Sequence, residues 1–538
     1  MDAHTRLAEL KAVERLAAGD PTLFADPEIA ATRLGWLGSP ARAAADAARL
    51  ADFAEDIASR GIRDVVLLGM GGSSLAPLVL SRAFRAAPGH PHLHVMDTTS
   101  PVEVDALLRT LEPALTFVLV SSKSGTTIEP LALFEVFRAW MEPALGERTG
   151  SYFAAVTDPG SPLVELAAEH GFRDVFLAPV DVGGRYAALT PFATVPGALM
   201  GVDVARLAAE GETMAAACRV PGDANPASRL AAWISDAYDS GRDKLTIVCS
   251  PSLASFGLWV EQLVAESTGK KGAGVLPVLE PAPGSPDAHG DDRMTFVLRT
   301  KGDDRLASLA SRLPDNEPFL EVVVDGPYAL GAEFVRWEWA VALFSALQGI
   351  EPFDQPDVEG AKTTTREILK GKREAPKSTI LDRGIAITMC AGGEPADLDS
   401  ALSMLLKGAG PRAYLAVLAY LPEDEAYLIP LRAACDEIAA DRKMAVTLEL
   451  GPRYLHSTGQ YHKGGPAEGI YLVVTAQEPV SLAVPEVLFS LADLHRTQPA
   501  GDVATLVSLG RPVVAVELPA EDLEAVETLS MALRSAAH

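Results

Sequence analysis

Asp64-Val65-Val66-Leu67-Leu68-Gly69-Met70-Gly71-Gly72-Ser73-Ser74-Leu75 is the stretch on which the fold turns. Its unbroken apolar run predicts a strand buried on both faces, its glycines a tight turn, and Leu75 with Leu78 the start of a helix. A buried strand that runs through a glycine turn straight into a helix opens a parallel-sheet unit. Outward from it the pattern recurs. LHVMD, TFVLVSS, YFAAVTD and DVFLAP are short apolar runs separated by helical segments, and they predict a doubly wound sheet over residues 45–205. Residues 1–44 read as a helical segment, with apolar positions at Leu7, Leu10, Val13 and Leu16, and a longer helix follows from Ala43 to Ile57. A second unit, 206–375, opens with a helix near Ala227 and continues through a strand at 245–250 and a helix from Phe256 to Ser267. The charged, proline-bearing tract at 371–378 suits a linker. Residues 376–538 form a third segment, with strands in AYLAVLAY (413–420), AVTLELG, GIYLVVT and PVVAVEL and a helix to about Arg442. The expected class is α/β: two doubly wound parallel sheets with a further C-terminal α/β segment.

With 538 residues, 48% of them hydrophobic and 22% charged, the chain can bury several cores. The balance of 72 acidic against 46 basic residues, a net charge of −26, sets the mean field against nucleic acid and anionic membranes. A small anion still binds where lysines, arginines and backbone amides cluster locally. Cys218, Cys249, Cys390 and Cys435 are scattered and form no CxxC pair, so they read as reduced and mostly buried rather than as a disulfide or zinc framework. The N-terminus has no apolar signal core and no run approaches a membrane span, which predicts a cytoplasmic protein. The histidines show no ligand spacing such as HExxH, and neither a metal nor an organic cofactor is expected.

Two loops on the first sheet look built for an anion. Gly69–Ser74 aims helix N-terminal amides and the Ser73 hydroxyl outward. It partly imitates a dinucleotide fingerprint, with Asp97 after the next strand as the ribose-binding acid, but Ser74 stands where the third glycine belongs. Ser121-Ser122-Lys123-Ser124-Gly125-Thr126-Thr127 leaves a strand and enters a helix near Ile128. A helix cap uses one or two hydroxyls, not five, so a phosphate monoester fits better than capping alone. The absence of GxxxxGK[ST] argues against a nucleoside triphosphate.

GMGGSS followed by SSKSGTT resembles the sugar isomerase domain of glucose-6-phosphate isomerases, and further segments resemble the same family. Gly183-Gly184-Arg185-Tyr186 is similar to its GGRYS segment. Glu266-Ser267-Thr268-Gly269-Lys270 is similar to an ESNGK-like motif, with Ser267-Thr268 in place of Ser-Asn. Phe353-Asp354-Gln355-Pro356-Asp357-Val358-Glu359-Gly360-Ala361-Lys362 resembles the FDQ…VE..K signature, and Pro356 predicts a helix start there, with Lys362 two turns in. Leu455-His456-Ser457-Thr458-Gly459-Gln460-Tyr461 resembles the histidine segment of shorter bacterial members, although it lies after Lys362 rather than before it. His456 is preferred over His289 and His462 on that context. This order resembles the isomerase half of bifunctional transaldolase/glucose-6-phosphate isomerase proteins, and there is no room for a (β/α)8 barrel ahead of it.

The resemblance implies two sugar isomerase domains and reversible isomerisation of glucose 6-phosphate and fructose 6-phosphate through ring opening and a cis-enediolate. It implies Glu266 as the base between carbons 2 and 1, His456 with Lys362 for ring opening, and Arg185 against the enediolate charge. Gly72, Ser73, Ser122, Lys123, Ser124, Thr126, Thr127, Gly184, Gln262 and Gln355 are expected to bind substrate or phosphate. Family members are commonly dimers that share groups between subunits, so a homodimer is possible and the subunit that supplies His456 stays open. An isomerase of mannose 6-phosphate would share every motif. A non-catalytic sugar-phosphate sensor would need neither Glu266 nor Lys362, and a dehydrogenase would need a nicotinamide site.

Overall fold

The computed structural model describes residues 1–280, 288–374, 380–389, 395–520 and 522–538, so Cys390 and residues 375–378 of the expected linker lie outside the described residues. Three sheets organise the chain. In the first, β1 (Asp64–Leu68), β2 (His92–Met96), β3 (Thr116–Ser121), β4 (Phe153–Thr157) and β5 (Asp174–Leu177) are all parallel in the order β2-β1-β3-β4-β5. Val65 to Leu68 and all of β3 and β4 are buried, because helices cover both faces. The order reverses between β1 and β3, and a crevice opens there outside the carboxyl ends of the strands. The turn after β1 and the hydroxyl-rich loop after β3 flank that crevice.

The second sheet is also parallel: β6 (Lys244–Cys249), β7 (Leu276–Leu279), β8 (Arg293–Thr300) and β9 (Phe319–Val324), ordered β7-β6-β8-β9. The third is mixed. Its strands are β10 (Ile380–Asp382), β11 (Ile385–Met389), β12 (Tyr414–Tyr420), β13 (Ala445–Leu450), β14 (Gly469–Ala476) and β15 (Val513–Leu518), ordered β10-β11-β15-β14-β12-β13. Its last four strands are parallel, and β10 and β11 add an antiparallel edge that the sequence pattern did not announce.

One apolar core joins the N-terminal helices, the first sheet and the second sheet around Trp36, Tyr186, Trp339 and Phe353. The third sheet has a core of its own and also docks twice. Tyr414, Tyr461 and Tyr471 pack on Ala265, Leu276 and Val278 of the second sheet's layer. Leu491 and Leu494 pack into the layer on β3. The third segment is thereby held against both others, at the end where the loops of the first sheet emerge.

Two local expectations are corrected. The N-terminal helix is broken into Ala3–Glu9 and Ala12–Ala17, because Lys11 adopts a left-handed conformation (φ 48°); Leu10 is left exposed. The helix expected from Pro356 begins at Glu359, so Lys362 lies in its first turn rather than two turns in. Pro356 instead belongs to the turn ahead of that helix, and proline fits a turn as well as a helix start. Among the described residues, no helix is long and apolar enough to cross a membrane.

Candidate active site

A cavity of about 620 Å³ opens where the three sheets meet. Gly72, Ser73, Lys123, Ser124, Thr126, Thr127, Gly184, Arg185, Gln262, Glu266, Gln355, Lys362 and His456 all line it, so the structure brings together every expected site residue except Ser122. Ser122 is buried under the loop, and its hydroxyl donates to Thr127 Oγ1 at 3.3 Å. It braces the loop instead of facing the cavity.

The glycines act through close approach. A Cβ on Gly72 would lie 2.2 Å from the Gly184 carbonyl oxygen, and one on Gly71 would lie 2.9 Å from the His456 carbonyl oxygen. The turn after β1 therefore touches both the arginine loop and the histidine segment, which only residues without a side chain allow. The two anion loops are joined as well, since the Ser121 hydroxyl donates to the Ser73 carbonyl at 2.9 Å. In the second loop the Ser124 hydroxyl accepts the Thr126 N–H at 3.2 Å and meets Thr126 Oγ1 at 3.0 Å. Thr127 caps the helix Ile128–Leu145 without a side-chain bond to it, so that hydroxyl and the first-turn amides stay directed at the cavity. Lys123 is less free than its sequence context implies: its ammonium pairs with Asp158 at 2.5 Å.

The base sits on the helix Phe256–Thr268, which is buried almost all round and yet carries Glu261, Gln262 and Glu266 inside. Buried charge has to be paired or used. Glu266 Oε2 accepts from Arg185 Nη1 at 3.3 Å. Burial raises the Glu266 carboxyl above the ordinary carboxylate range, although Arg185, His456 and Lys362 all pull the other way. A carboxylate raised in this way is a stronger base than an exposed one, which suits a group that must take a proton from carbon and then return it.

Arg185 is fixed on all sides. Nε donates to Ser267 Oγ at 3.0 Å, Nη1 to Gln355 Oε1 at 2.9 Å, and Nη2 to the carbonyls of Pro352 at 2.6 Å and Asp354 at 2.7 Å. Gln355, expected to meet phosphate, is bonded to this guanidinium. The Glu266 contact is the longest of the set, so Nη1 is the donor most open to a ligand. Gln262 donates from Nε2 to the His456 carbonyl at 2.7 Å, while its buried Oε1 has no partner among the described residues.

His456 arrives from the third sheet, on the turn Arg453–His456 after β13. Its Nε2 lies 2.9 Å from Glu129 Oε1, in the first turn of the helix that follows the hydroxyl loop. Donation from Nε2 to a carboxylate leaves Nδ1 as the acceptor of the ring. Burial disfavours the Glu129 charge, but His456, the residue's own backbone amide and Lys362 outweigh it and hold the carboxyl below its ordinary range. The segment is pinned twice more. Arg453 grips Asp97 with two bonds of 2.8 Å, which occupies the acid that could have imitated a ribose ligand. Gln460 donates to the Gly269 carbonyl at 2.9 Å and to Asp357 Oδ2 at 2.6 Å, and so ties the glutamate, lysine and histidine motifs together. The rival histidines are elsewhere: His462 is buried between Glu449 and Tyr414, each at 3.0 Å, and His289 pairs with Glu317 at 2.9 Å. Lys362 faces the cavity with its ammonium 2.8 Å from Glu359.

The sequence reading missed Glu129, Arg33, Arg366, Lys463 and Gln498, all of which line the cavity. An acid in the first turn of a helix is ordinary capping chemistry, so Glu129 carried no separate signal. Within this chain His456 and Glu129 face each other across the cavity.

The family model for phosphoglucose isomerase matches residues 42–272, the segment that holds both anion loops, Arg185 and Glu266. The chain is 30% identical over 402 residues to the glucose-6-phosphate isomerase of Rubrobacter xylanophilus, covering 65% of this chain and 91% of that protein. It is 31% identical over 410 residues to that of Symbiobacterium thermophilum, covering 65% and 90%. Among solved structures it resembles a hypothetical protein of Thermus thermophilus (TM-score 0.59, 26% identity, 68% of this chain and 96% of that one). It shares its fold with a glucose-6-phosphate isomerase of Chlamydia trachomatis (TM-score 0.54, 21% identity, 62% and 74%). With that identity sustained over nine tenths of a relative's length, the chain belongs to the glucose-6-phosphate isomerase family.

Proposed function

We propose that this cavity interconverts glucose 6-phosphate and fructose 6-phosphate, with the following division of labour. The phosphate is received by Ser124, Thr126 and Thr127 and the amides around them, with Ser73 and the charge of Lys123 beside it. His456, oriented by Glu129, takes the proton of the anomeric hydroxyl at Nδ1 and delivers a proton to the ring oxygen, which opens the sugar. Glu266 lifts the proton from carbon 2, the C1–C2 double bond forms, and charge develops on the carbonyl oxygen. Arg185 stabilises that charge from a fixed position that needs no reorganisation. The same carboxyl returns the proton to carbon 1, while the hydroxyl proton on the second oxygen passes to the first, which leaves a carbonyl at carbon 2 and a hydroxyl at carbon 1. Gln262 Oε1 accepts from a sugar hydroxyl, which relieves its missing partner, and the Lys362 charge favours the ionised forms of Glu266 and Glu129 across the cavity. Every group in the scheme comes from one chain, whether or not two copies pair, and we place the enzyme in the cytoplasm with its substrates.

The observation that carries this reading is that a buried carboxyl, Glu266, and a carboxylate-oriented imidazole, His456, face one cavity beside a hydroxyl-rich loop. Neither mannose 6-phosphate specificity nor a sensor role draws support from the relatives. The test is conversion of fructose 6-phosphate to glucose 6-phosphate, coupled to a glucose-6-phosphate dehydrogenase, with wild type and Glu266→Gln in parallel. Loss of about 10²–10⁴ in kcat, with substrate still bound, is expected for removal of a general base. Inactive wild-type protein would overturn the function, and a fully active variant would remove Glu266 from it.

A further inference from the structure

Glu129 receives two N–H donors on one oxygen. His456 Nε2 is the first; the second is Gln498 Nε2, also at 2.9 Å, from the helix Leu491–Ser508 of the third segment. The amide is held at its other end too. Thr99 Oγ1 donates to Gln498 Oε1 at 2.7 Å, and because that oxygen can only accept, the one hydroxyl proton is committed there. His495 Nδ1, 2.9 Å from the same hydroxyl, must then be the donor. Burial lowers the His495 pKa to about 4, which favours a neutral ring, and Glu478, 3.5 Å from Nε2, is itself pushed up to about 7 by burial; the hydrogen-bond order then places the ring proton on Nδ1. All four side chains are buried. The bonds therefore run in one direction, from His495 through Thr99 and Gln498 to Glu129. A reversed amide would set its oxygen against the carboxylate.

We propose that Gln498 is a positioning residue of the isomerase: locked by Thr99, its amide keeps Glu129 ionised and aimed at His456. The third segment then supplies both the histidine and the group that holds the histidine's partner. This rests on the ring-opening role given to His456 above.

The experiment measures kcat, KM and their pH profiles for wild type, Gln498→Leu, Gln498→Glu and Thr99→Val with fructose 6-phosphate. Other charges facing the pair are the same in every variant: Lys362 and Glu359 from the helix Glu359–Leu369, Glu266 from the helix Phe256–Thr268, and the Tyr420 phenol at the end of β12. Gln498→Leu removes one charge-assisted bond from the carboxylate, so kcat should fall about ten- to a hundredfold with KM nearly unchanged. The acid limb of the kcat profile should move up by about one pH unit, and further in Gln498→Glu, where two adjacent carboxyls compete for one proton. Thr99→Val should shift it less, in the same direction. A merely structural role would lower stability and leave the acid limb in place; that result in any folded variant overturns the proposal. Thr99→Val, which keeps the packing, decides the matter if Gln498→Leu does not fold. Inactive wild-type protein would bring down the functional reading and this inference together, whereas active variants with the wild-type profile would overturn this inference alone.

Discussion

Arg453→Met would test whether the docking of the third sheet builds the active site. The guanidinium holds Asp97, just after β2, through two bonds of 2.8 Å, and reaches Glu423, just after β12, at 2.7 Å. The side chains of Arg453 and Asp97 are 12% and 2% exposed, so water screens the pair little. Removing one partner of such a pair leaves the other charge buried and uncompensated, at a cost of about 3–5 kcal/mol. The structure can relieve that cost by letting the turn carrying His456 retreat from the first sheet, and a displacement of about 1 Å at a catalytic group costs about a hundredfold in rate. That loss corresponds to about 2.7 kcal/mol in the activation barrier. The assay is kcat/KM with fructose 6-phosphate, expected to fall about a hundredfold. Adding Asp97→Asn removes the orphaned carboxylate, so stability should recover in the double variant while activity does not. A kcat/KM for Arg453→Met within about threefold of wild type would refute the reasoning, since the clamp would then not position the histidine.

The same cluster makes a pH prediction. Burial opposes the Glu423 charge, but Arg453 and Arg82 hold its pKa down to about 2, below the ordinary 4.5. A depressed carboxyl stabilises the fold above its unfolded pKa and loses that contribution as pH falls through the folded value. Between pH 5 and 2 the wild type should therefore lose stability more steeply than Glu423→Gln; equal acid sensitivity would count against the cluster. Gly72→Ala should lower kcat/KM by at least about a hundredfold, because its Cβ would meet the Gly184 backbone at 2.2 Å and part the two loops. Gly183→Ala is the control, with Arg33 Cδ at 4.0 Å as the nearest atom, and steady-state kinetics on both should separate them.

Much of the architecture was legible in local pattern. The first-sheet strands were readable as apolar runs because a parallel sheet covered on both faces admits no alternation. The helix Phe256–Thr268 and the loops after β1 and β3 were readable because turn glycines and clustered hydroxyls announce themselves over a few residues. β7, β8 and β9 passed unnoticed, as did the short antiparallel edge of the third sheet. The helix start at Glu359 was misplaced because proline serves a turn as readily as the first residue of a helix.

Within the site, the sequence by itself determined the chemical inventory: a carboxylate, an imidazole, a guanidinium, an ammonium and a row of hydroxyls, each in a short motif. Tertiary structure alone decided how they are used. It turned Ser122 inward, set Gln355 on Arg185, paired Lys123 with Asp158, and gave His456 its Glu129 from a helix 327 residues away in the chain. The reason is range. Backbone preference and hydrophobic period are written within a turn or a strand, whereas the partner of a buried charge is whatever group the packing of distant layers brings within hydrogen-bond reach.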